Sequence, residues 1–583
     1  MKNLLVPLLL GSIASACSIE QKQPNVVLLI TDDQGWGDVG IHGNPLINTP
    51  TLDKLYRQSV VLNHFYSCPL SATTRAGLLT GRYHLRTGVT STSGGWENMN
   101  PDETTIAEVF KAYGYQTGCF GKWHNGAYFP YTPNGQGFDE FLGFCCGLSL
   151  NYFDPLLQHN EGLVKEKGFI TDIFADKAIQ FIEANKDKPF FCYVPFNAPH
   201  TPYQVPDEYF DRYSGLTAAN SLDRDMLASI YAMVENVDYN ISRILDKLEQ
   251  LKLMDNTIVV FMSDNGPTSV LRYNGNMRGV KTQVYEGGMR VPCYISWKGK
   301  INHRIINEPT ATIDMMPTLL SMCGITNYTT AFPIDGVNLI ELIKGKTDIL
   351  PDRMIFSHVL NRELQPFIGT ARTRDFRLAV YKDSVTLFHI KDDPLESNNL
   401  YNNKNYDITA KKLYEAYIEW FIDASKKVKL IPTIPVGYDE SPIVRIETTE
   451  GKLHGQLAYI GNRSGNWVNY FQTPDDYMTF EIDAVRKGTF EVLIDYSQPD
   501  DGSPLIVAEC GSNTIKNQLP HFVAEIIPSP DRTPRPHAYE KVWGKQSIGV
   551  IPLNKGKHLL KIFVENAPSK NSQIKNVIIA CKD

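Results

Sequence analysis

Polar residues directly follow two strand-like apolar runs of this 583-residue chain. Asp32 and Asp33 follow the first run, and Asp264 and Asn265 follow the second. Because ligand sites in open α/β sheets form beyond the carboxyl ends of the strands, we expect these two pairs to converge. Converging carboxylates repel one another unless a cation neutralises them, and oxygen ligands suit Ca²⁺ or Mg²⁺ better than zinc. For either pair alone, the alternative is a simple cap of a helix or turn.

Several basic side chains could surround an anion near the same point. They are Arg75, Lys122, His124, His200 and Lys281. A tetrahedral oxyanion bound beside a metal ion needs such donors to neutralise its charge. Each basic residue alone could equally be a surface charge, and His124 alone could be a packed imidazole. The group as a whole predicts an anion site.

Strand-like and helix-like segments alternate over residues 24–350, and these elements must position the polar side chains. Continuous apolar runs are typical of strands that are buried on both faces. Such runs cover residues 26–30, 190–196 and 257–261. Apolar residues recur at helical spacing over residues 106–113 and 230–248. The alternation predicts an α/β fold with a mostly parallel sheet.

The pattern changes in the last part of the chain. A hairpin over residues 378–390 and a helix over residues 408–424 predict a small α+β subdomain, residues 351–428. Proline and glycine residues between positions 432 and 442 indicate a linker. Residues 443–583 then alternate at period two in short runs between turns, which predicts a C-terminal β-sandwich.

The composition is that of an ordinary globular protein. Hydrophobic residues make up 42% and charged residues 21% of the chain, which excludes global disorder. The 57 basic and 64 acidic residues give a net charge of −7, which argues against a nucleic-acid partner because such proteins usually need a basic face. The ten cysteines show no zinc-like spacing and predict buried free thiols, with room for one disulfide.

The N-terminus is predicted to be a targeting segment, residues 1–17. Its apolar run, residues 4–13, is too short to span a bilayer and is typical of a signal peptide. Cleavage after Ala16 would give a soluble exported protein. Cys17 behind small residues instead resembles a bacterial lipobox, and we favour this interpretation, in which lipidated Cys17 tethers the protein to a membrane.

The local order of these motifs resembles one family. Residues 71–82 (SATTRAGLLTGR) resemble the sulfatase signature, which starts with Cys or Ser, has Arg four residues later and continues as LLTGR. The other matching segments are residues 31–35 (TDDQG), 121–124 (GKWH), 198–200 (APH), 263–266 (SDNG), 279–292 and 392–400. Cys68 is a rival first residue, but only Ser71 has Arg75 in the required register. The resemblance covers about residues 24–428.

The resemblance implies a type I sulfatase with the alkaline-phosphatase-like fold, a mostly parallel sheet flanked by helices. In this family the first signature residue is oxidised to formylglycine (3-oxoalanine), whose hydrate is the nucleophile. Here that residue is Ser71, and a serine implies maturation by a radical sulfatase-maturing enzyme of anaerobic bacteria. We therefore expect a periplasmic protein or membrane-anchored lipoprotein of a Gram-negative anaerobe. Thr73 stands where the family usually has Pro or Ala, a position that maturing enzymes read.

The resemblance also implies one Ca²⁺ and a role for each basic residue. The implied metal ligands are Asp32, Asp33, Ser71, Asp264 and Asn265. Arg75 and Lys122 would stabilise the hydrate and the developing charge, and His124 would assist as a base. His200, with Lys281 beside it, would protonate the leaving oxygen.

The expected substrate is a sulfate ester on a carbohydrate, since export and an appended sandwich both favour a glycan. The sandwich resembles galactose-binding-like modules, and Trp467, Tyr470 and Phe471 could stack on sugars or fill its core. Two rival functions remain. One is a phosphodiesterase or phosphonate hydrolase of the same superfamily. The other is a glycan-binding protein without activity, in which Ser71 stays unmodified.

Overall fold

The computed structural model describes residues 22–359, 364–428, 433–460, 466–500, 502, 504–535, 537–565 and 571–583. The predicted targeting segment and Cys17 lie outside these residues. Within them, no helix combines the length and apolarity that crossing a membrane requires. The nine cysteines in the described part of the chain carry free thiols.

Twelve strands form the first region among the described residues. They are β1 (Asn25–Thr31), β2 (Val60–Leu62), β3 (Phe65–Tyr66), β4 (Gln116–Lys122), β5 (Glu140–Phe144), β6 (Leu156–His159), β7 (Gly162–Lys165), β8 (Phe190–Pro195), β9 (Thr257–Ser263), β10 (Cys293–Ser296), β11 (Arg304–Ile306) and β12 (Thr310–Ala311). Ten of them build one sheet in the order β11-β2-β10-β9-β1-β8-β4-β5-β6-β7, and β3 pairs with β12. The central strands β9, β1, β8, β4 and β5 are parallel, whereas β10, β6 and β7 run antiparallel to their neighbours.

Helices cover both faces of this sheet. They are α1 (Pro50–Gln58), α2 (Ser71–Thr80), α3 (Ile106–Ala112), α4 (Ile170–Ala184), α5 (Asp207–Phe210), α6 (Ser221–Gln250), α7 (Glu286–Met289), α8 (Met315–Met322) and α9 (Ile340–Ile343). In β1, Val27 and Leu29 join a core with α1, α4 and α6, while Val26, Leu28 and Ile30 join a second core with α2, α3 and α8. Burial on both faces is the reason that β1 is continuously apolar.

Helix α6 is longer than its apolar pattern indicated. The sequence predicted residues 230–248, and the structure adds more than two turns before them. The side chain of Asn220 caps the helix by accepting a hydrogen bond from the Asp223 amide at 2.9 Å. The added turns begin at the surface, where Leu222 is exposed, so they carry a weaker apolar pattern.

A four-stranded antiparallel sheet and one helix follow, as the α+β pattern predicted. The strands are β13 (Ile355–His358), β14 (Ile368–Arg372), β15 (Phe376–Tyr381) and β16 (Ser384–His389), and they lie in this order. The helix is α10 (Asp407–Ala424). It packs on the sheet through Leu413, Tyr417 and Phe421, which share a core with Leu378 and Leu387.

The C-terminal region is a β-sandwich, as predicted. Its described strands are β17 (Ile434–Val436), β18 (Ile443–Glu447), β19 (Lys452–Leu453), β20 (Ala458–Tyr459), β21 (Val468–Asn469), β22 (Tyr477–Ala484), β23 (Gly488–Ser497), β24 (Leu505–Cys510), β25 (Asn513–Gln518), β26 (Glu525–Ile526), β27 (Lys541–Val542), β28 (Gly544–Leu553), β29 (Gly556–Glu565) and β30 (Gln573–Cys581). Two six-stranded sheets enclose one core, and β26 pairs with β27 apart from them. Strand β17 lies in the expected linker, and its Pro435 is tolerated because β17 is an edge strand.

The sandwich uses two of the three candidate sugar-stacking rings internally. Trp467 and Phe471 are buried, and Phe471 belongs to the core of the sandwich. Trp467 packs edge-on against Trp543, with Lys541 over its ring. Only Tyr470 of the three is exposed. For Trp467 and Phe471 the packing alternative is therefore the correct one.

Two buried histidines, His84 after α2 and His358 in β13, should make the protein sensitive to acid. Burial lowers the pKa of His84 to about 4 and that of His358 to about 3, from an ordinary 6.5. Each ring stays neutral in the folded protein at a pH where the unfolded chain protonates it. The free energy of unfolding is therefore unaffected by these rings above their ordinary pKa. It decreases as the pH falls towards 4, by up to ~1.4 kcal/mol per pH unit for each ring.

The measurement is the urea midpoint of unfolding between about pH 7 and about pH 4.5. The midpoint should fall less steeply with acidification for His84→Gln than for the unsubstituted protein. The matched control is His159→Gln, because His159 is exposed. Equal slopes for His84→Gln and the control would contradict the assignment.

Candidate active site

Two neighbouring parallel strands end at the same level and place their following acids side by side. Thr31, the last residue of β1, pairs in register with Ser263, the last residue of β9. Asp32 and Asp264 come next on each strand, and both are buried. The strand register is thus the reason that the two acid pairs converge.

Hydrogen bonds hold the second member of each pair in the same cluster. The Asp33 amide donates to Asp264 Oδ1 at 3.0 Å, and Asn265 Nδ2 donates to Asp33 Oδ1 at 2.8 Å. Asp33 has a φ of 66°, in the left-handed region where aspartate is more common than most residues. Its Oδ2 is buried and lacks a hydrogen-bond partner among the described residues, so this oxygen is left for a ligand.

Ser71 is the first residue of α2, and its hydroxyl faces the acid cluster. Ser71 Oγ lies 3.0 Å from Asp32 Oδ1 and 3.2 Å from Asn265 Oδ1. Every residue of α2 is buried, and Gly81 ends the helix with a φ of 67°, a conformation that favours glycine. A helix N-terminus carries a partial positive charge, so the position of Ser71 suits an anion.

Three of the predicted cations each pair with a different carboxylate of the cluster. The pairs are Arg75–Asp264 at 2.8 Å, Lys122–Asp32 at 2.7 Å and Lys281–Asp33 at 2.5 Å. Arg75 also donates to the Lys122 carbonyl at 2.8 Å, which fixes its guanidinium against the end of β4. Arg75 and Lys122 are fully buried, so these pairs lie in a low-dielectric site where charges act strongly.

His200 lies at the same cluster, five residues after the end of β8. Its Nε2 is 3.8 Å from Asp33 Oδ2, and its Nδ1 is 2.7 Å from the Thr201 carbonyl. Because a carbonyl only accepts, Nδ1 carries a proton and Nε2 is the nitrogen left for chemistry. Burial lowers the pKa of His200 to about 3, although Asp33 opposes this shift, so the ring is neutral near neutral pH.

His124 follows β4, two residues after Lys122, and its ring is anchored on the backbone. His124 Nε2 lies 3.0 Å from the Thr92 carbonyl, which makes Nε2 the protonated nitrogen. Its Nδ1 is buried and has no hydrogen-bond partner within the described ranges. Burial, followed by the charge of Lys122, lowers the pKa of His124 well below its ordinary value. The side chain is therefore a neutral ring with a bare nitrogen.

The acid cluster has the properties of a hard-cation site. Burial raises the pKa of Asp32 to about 7 against the charge of Lys122, and the carboxylates of Asp264 and Asp33 add to the rise. Ligand atoms of Asp32, Asp33 and His200 lie within 4.8 Å of one another. Buried carboxylates that meet at one point are stabilised by a cation, and oxygen donors favour Ca²⁺ or Mg²⁺. With the unpartnered oxygen of Asp33, the residues fit a divalent cation of this class.

The Sulfatase family model matches residues 24–325, slightly more than half of the chain. The chain belongs to the sulfatase family. A second model, described as N-sulphoglucosamine sulphohydrolase, C-terminal, matches residues 280–420. These matches confirm the type I sulfatase resemblance and the enzyme class, a sulfuric ester hydrolase.

Relatives and solved structures agree with this family. N-acetylgalactosamine-6-sulfatase of Homo sapiens is 30% identical over 370 residues, 57% of this chain and 68% of that protein. The ulvan-active sulfatase of Formosa agariphila is 30% identical over 424 residues, 68% of this chain and 80% of that protein. The structure of Ps i-CgsB in complex with k-i-k-neocarrahexaose has a TM-score of 0.62 at 27% identity, covering 70% of this chain and 95% of that one. The predicted fold class is confirmed.

A buried ion pair supports the loop after Asp33. No sequence motif indicated this pair. Arg272 pairs with Asp38, and both side chains are fully buried. Asp38 Oδ2 also accepts a hydrogen bond from the Gly35 amide at 2.7 Å. The pair joins positions 234 residues apart, and neither residue has a local pattern that would have singled it out.

A second network ties the α+β subdomain to the catalytic region of the sulfatase. Arg377 of β15 lies 2.6 Å from Glu286 and 2.8 Å from Glu396, with all three side chains buried. The Gly266 amide donates to the Gly288 carbonyl at 3.0 Å, so the segment of Glu286 also supports the turn after Asn265. Glu286 and Glu396 lie in motifs that matched the family, but their shared partner was not predicted.

Proposed function

We propose that this sulfatase hydrolyses sulfate esters on carbohydrates and releases inorganic sulfate during glycan degradation. The observation that carries the proposal is the position of Ser71, whose Oγ contacts Asp32 and Asn265 at the start of a buried helix. The substrate class is supported by the relatives, of which one is named as active on ulvan and another as an N-acetylgalactosamine-6-sulfatase.

In the proposed enzyme, Ser71 is oxidised to formylglycine. As its hydrate, this group supplies one hydroxyl that attacks sulfur and a second that later expels sulfate. The protein prepares the position with groups that are already fixed. The first amides of α2 and the guanidinium of Arg75, held by Asp264, lie where negative charge develops, and Lys122 stands beside them on Asp32. Donors that are fixed in advance need no reorganisation during the reaction.

Asp32, Asp33, Asp264 and Asn265, with residue 71, would hold one Ca²⁺. When bound, the cation would supply neutralising charge to the carboxylates and to the anionic ester. The three carboxylates of the cluster are already matched by three paired cations. A divalent ion therefore leaves the site net positive, as an anionic ester requires.

We assign the proton transfers to the two histidines. His200 presents Nε2 because Thr201 holds Nδ1, and the carboxylate of Asp33, 3.8 Å from Nε2, favours the protonated form of the ring. His200, next to Lys281, then protonates the leaving sugar oxygen, a step that typically contributes about 10²–10⁴-fold. His124 offers its bare Nδ1 as the base on the hydrate.

Activity on paired esters tests this function. Enzyme that has been matured with a radical sulfatase-maturing enzyme and supplied with Ca²⁺ should release sulfate from an aryl sulfate and from sulfated mono- or disaccharides. Its kcat/KM should exceed that for the matching phosphate esters by about 100-fold or more, and chelation should remove the activity. A preference for phosphate or phosphonate esters would contradict the proposal. Binding of sulfated saccharides without turnover, despite formylglycine in the mass spectrum, would indicate a glycan-binding protein.

Maturation and export complete the proposal. A serine at position 71 supports a radical maturing enzyme as a partner, with Thr73 as the residue that such an enzyme must accept. The apolar run over residues 4–13 and Cys17 support export to the periplasm or a lipid tether. Both of these N-terminal features precede the described residues.

A further inference from the structure

One loop of the C-terminal sandwich lies against the segment that carries His200. The connection between β26 and β27, residues 527–535 and 537–540, is called the sandwich loop here. The two family models end at residues 325 and 420, so this loop lies outside both of them. Its contacts are therefore made by a part of the chain that neither family model covers.

The sandwich loop holds the side chain of Gln204. Gln204 Nε2 lies 2.5 Å from Ser529 Oγ and 2.7 Å from Asp531 Oδ1, and Gln204 is fully buried. Arg532 strengthens the docking, because its Nη1 donates to the Val205 carbonyl at 2.8 Å. The loop binds only the amide nitrogen of Gln204, which leaves the amide oxygen for a second partner.

The other end of Gln204 leads to His200 through one tyrosine. Gln204 Oε1 accepts a hydrogen bond from the Tyr152 amide at 2.7 Å. The Tyr152 hydroxyl lies 3.1 Å from the His200 carbonyl and 3.0 Å from the Thr201 carbonyl. The same Thr201 carbonyl accepts from Nδ1 of His200 at 2.7 Å. Two sets of hydrogen bonds, joined covalently through the backbone and side chain of Tyr152, thus link the sandwich to the imidazole.

An ion pair within the sandwich loop fixes the carboxylate that holds Gln204. Arg535 Nε lies 3.0 Å from Asp531 Oδ2, and both side chains are more than 90% buried. Oδ1 of the same carboxylate is left to accept from Gln204.

We propose that Gln204, held by Ser529 and Asp531 of the sandwich, is a positioning residue that orients His200 for proton transfer to the leaving oxygen. The sandwich is then a part of the catalytic apparatus rather than a separable carbohydrate module. This inference rests on the proposed function, in which His200 is the leaving-group acid. If the sandwich loop only attached the sandwich to the catalytic region, the contacts of Arg532 would be enough. The buried side-chain amide of Gln204, hydrogen-bonded at both its nitrogen and its oxygen, would not be needed.

The test compares two leaving groups in the matured, Ca²⁺-supplied enzyme. A sugar alkoxide needs a proton to leave, whereas p-nitrophenolate departs without one. Gln204→Leu should lower kcat for the fastest-cleaved sulfated saccharide by about 10-fold, with little change in KM, because a small misplacement of the acid is costly. Its kcat for p-nitrophenyl sulfate should change by less than about 2-fold, since the acid contributes little there.

Two variants of the partner residue keep the test independent of Gln204. Asp531→Ala removes one of the two acceptors of Gln204 Nε2 and should reproduce the selective loss. Asp531→Asn keeps an acceptor oxygen and should retain most of the activity on the saccharide. Lys516→Ala, on the exposed strand β25, is the matched control and should leave kcat unchanged for both substrates. Because a general acid must hold its proton, the alkaline limb of the pH profile should shift for Gln204→Leu and Asp531→Ala only.

The outcomes distinguish a failure of this inference from a failure of the proposed function. An equal loss on both substrates would show a merely structural role, and unchanged activity in both variants would show no role, so either result overturns the inference. If the unsubstituted, matured enzyme cleaves neither sulfate ester, the proposed function has failed instead.

Discussion

Replacing Ser71 with alanine should lower kcat/KM for sulfate esters by about 10⁴-fold or more, since in the proposed mechanism the nucleophile is made from its hydroxymethyl group. The hydroxyl contacts both Asp32 and Asn265, so the substitution removes a group from the centre of the candidate cation site. Alanine fits at the start of the buried helix α2, and the variant should therefore fold. The measurements are sulfate release and mass spectrometry of the peptide that contains residue 71.

Cys68 provides the matched control for this substitution, because it is the rival first residue of the signature. Burial raises the pKa of its thiol to about 11, so the thiol stays protonated and is a poor nucleophile. Cys68→Ala should keep both the loss of two hydrogens at Ser71 and the activity. Activity in Ser71→Ala together with its absence in Cys68→Ala would show that the register of the signature is wrong.

Replacing Arg377 with methionine should destabilise the catalytic region by about 3–5 kcal/mol. Arg377 is the buried cation between Glu286 and Glu396, and it holds the pKa of Glu286 down at about 2 against burial. Without the guanidinium, Glu286 loses its nearest cation, with Arg372 left 3.8 Å away, and Glu396 loses its ion-pair partner, all in a buried site. Chemical unfolding followed by tryptophan fluorescence should show the loss.

Arg374→Met is the control for that experiment. Arg374 also pairs with two acids, Glu308 and Asp352, but its side chain is 38% exposed. Although Glu308 is buried, the guanidinium of Arg374 is open to water and salt, which screen its ion pairs, so we expect a loss of at most about 1 kcal/mol. Equal losses in the two variants would contradict the buried network as a source of stability. Because Glu286 lies beside the glycines that support Asn265, Arg377→Met should also weaken Ca²⁺ binding.

The central strands, the main helices and the site residues could be predicted because their signals are local. A strand that is buried on both faces must be continuously apolar, and β1, β8 and β9 follow that rule. Polar residues directly after such strands mark the ligand-binding edge of a parallel sheet, which is how Asp32 and Asp264 were found. Ser71 was instead assigned through the resemblance to the sulfatase signature, in which Arg75 stands four residues later, and the structure places both residues in α2.

Only the tertiary structure shows which distant residues form hydrogen bonds, ion pairs or ring contacts with one another. Asp531 and Gln204 are 327 residues apart, and neither has a spacing or a neighbour that predicts their hydrogen bond. The same holds for Arg377 with Glu286, and for Trp467, whose ring could serve a sugar or a core until its packing against Trp543 is seen. Periodicity specifies which face of an element is buried, whereas the polar group it meets depends on how whole domains dock. The sequence by itself therefore determined which residue types gather at the candidate site, whereas the tertiary structure decided that the sandwich contacts the segment that carries His200.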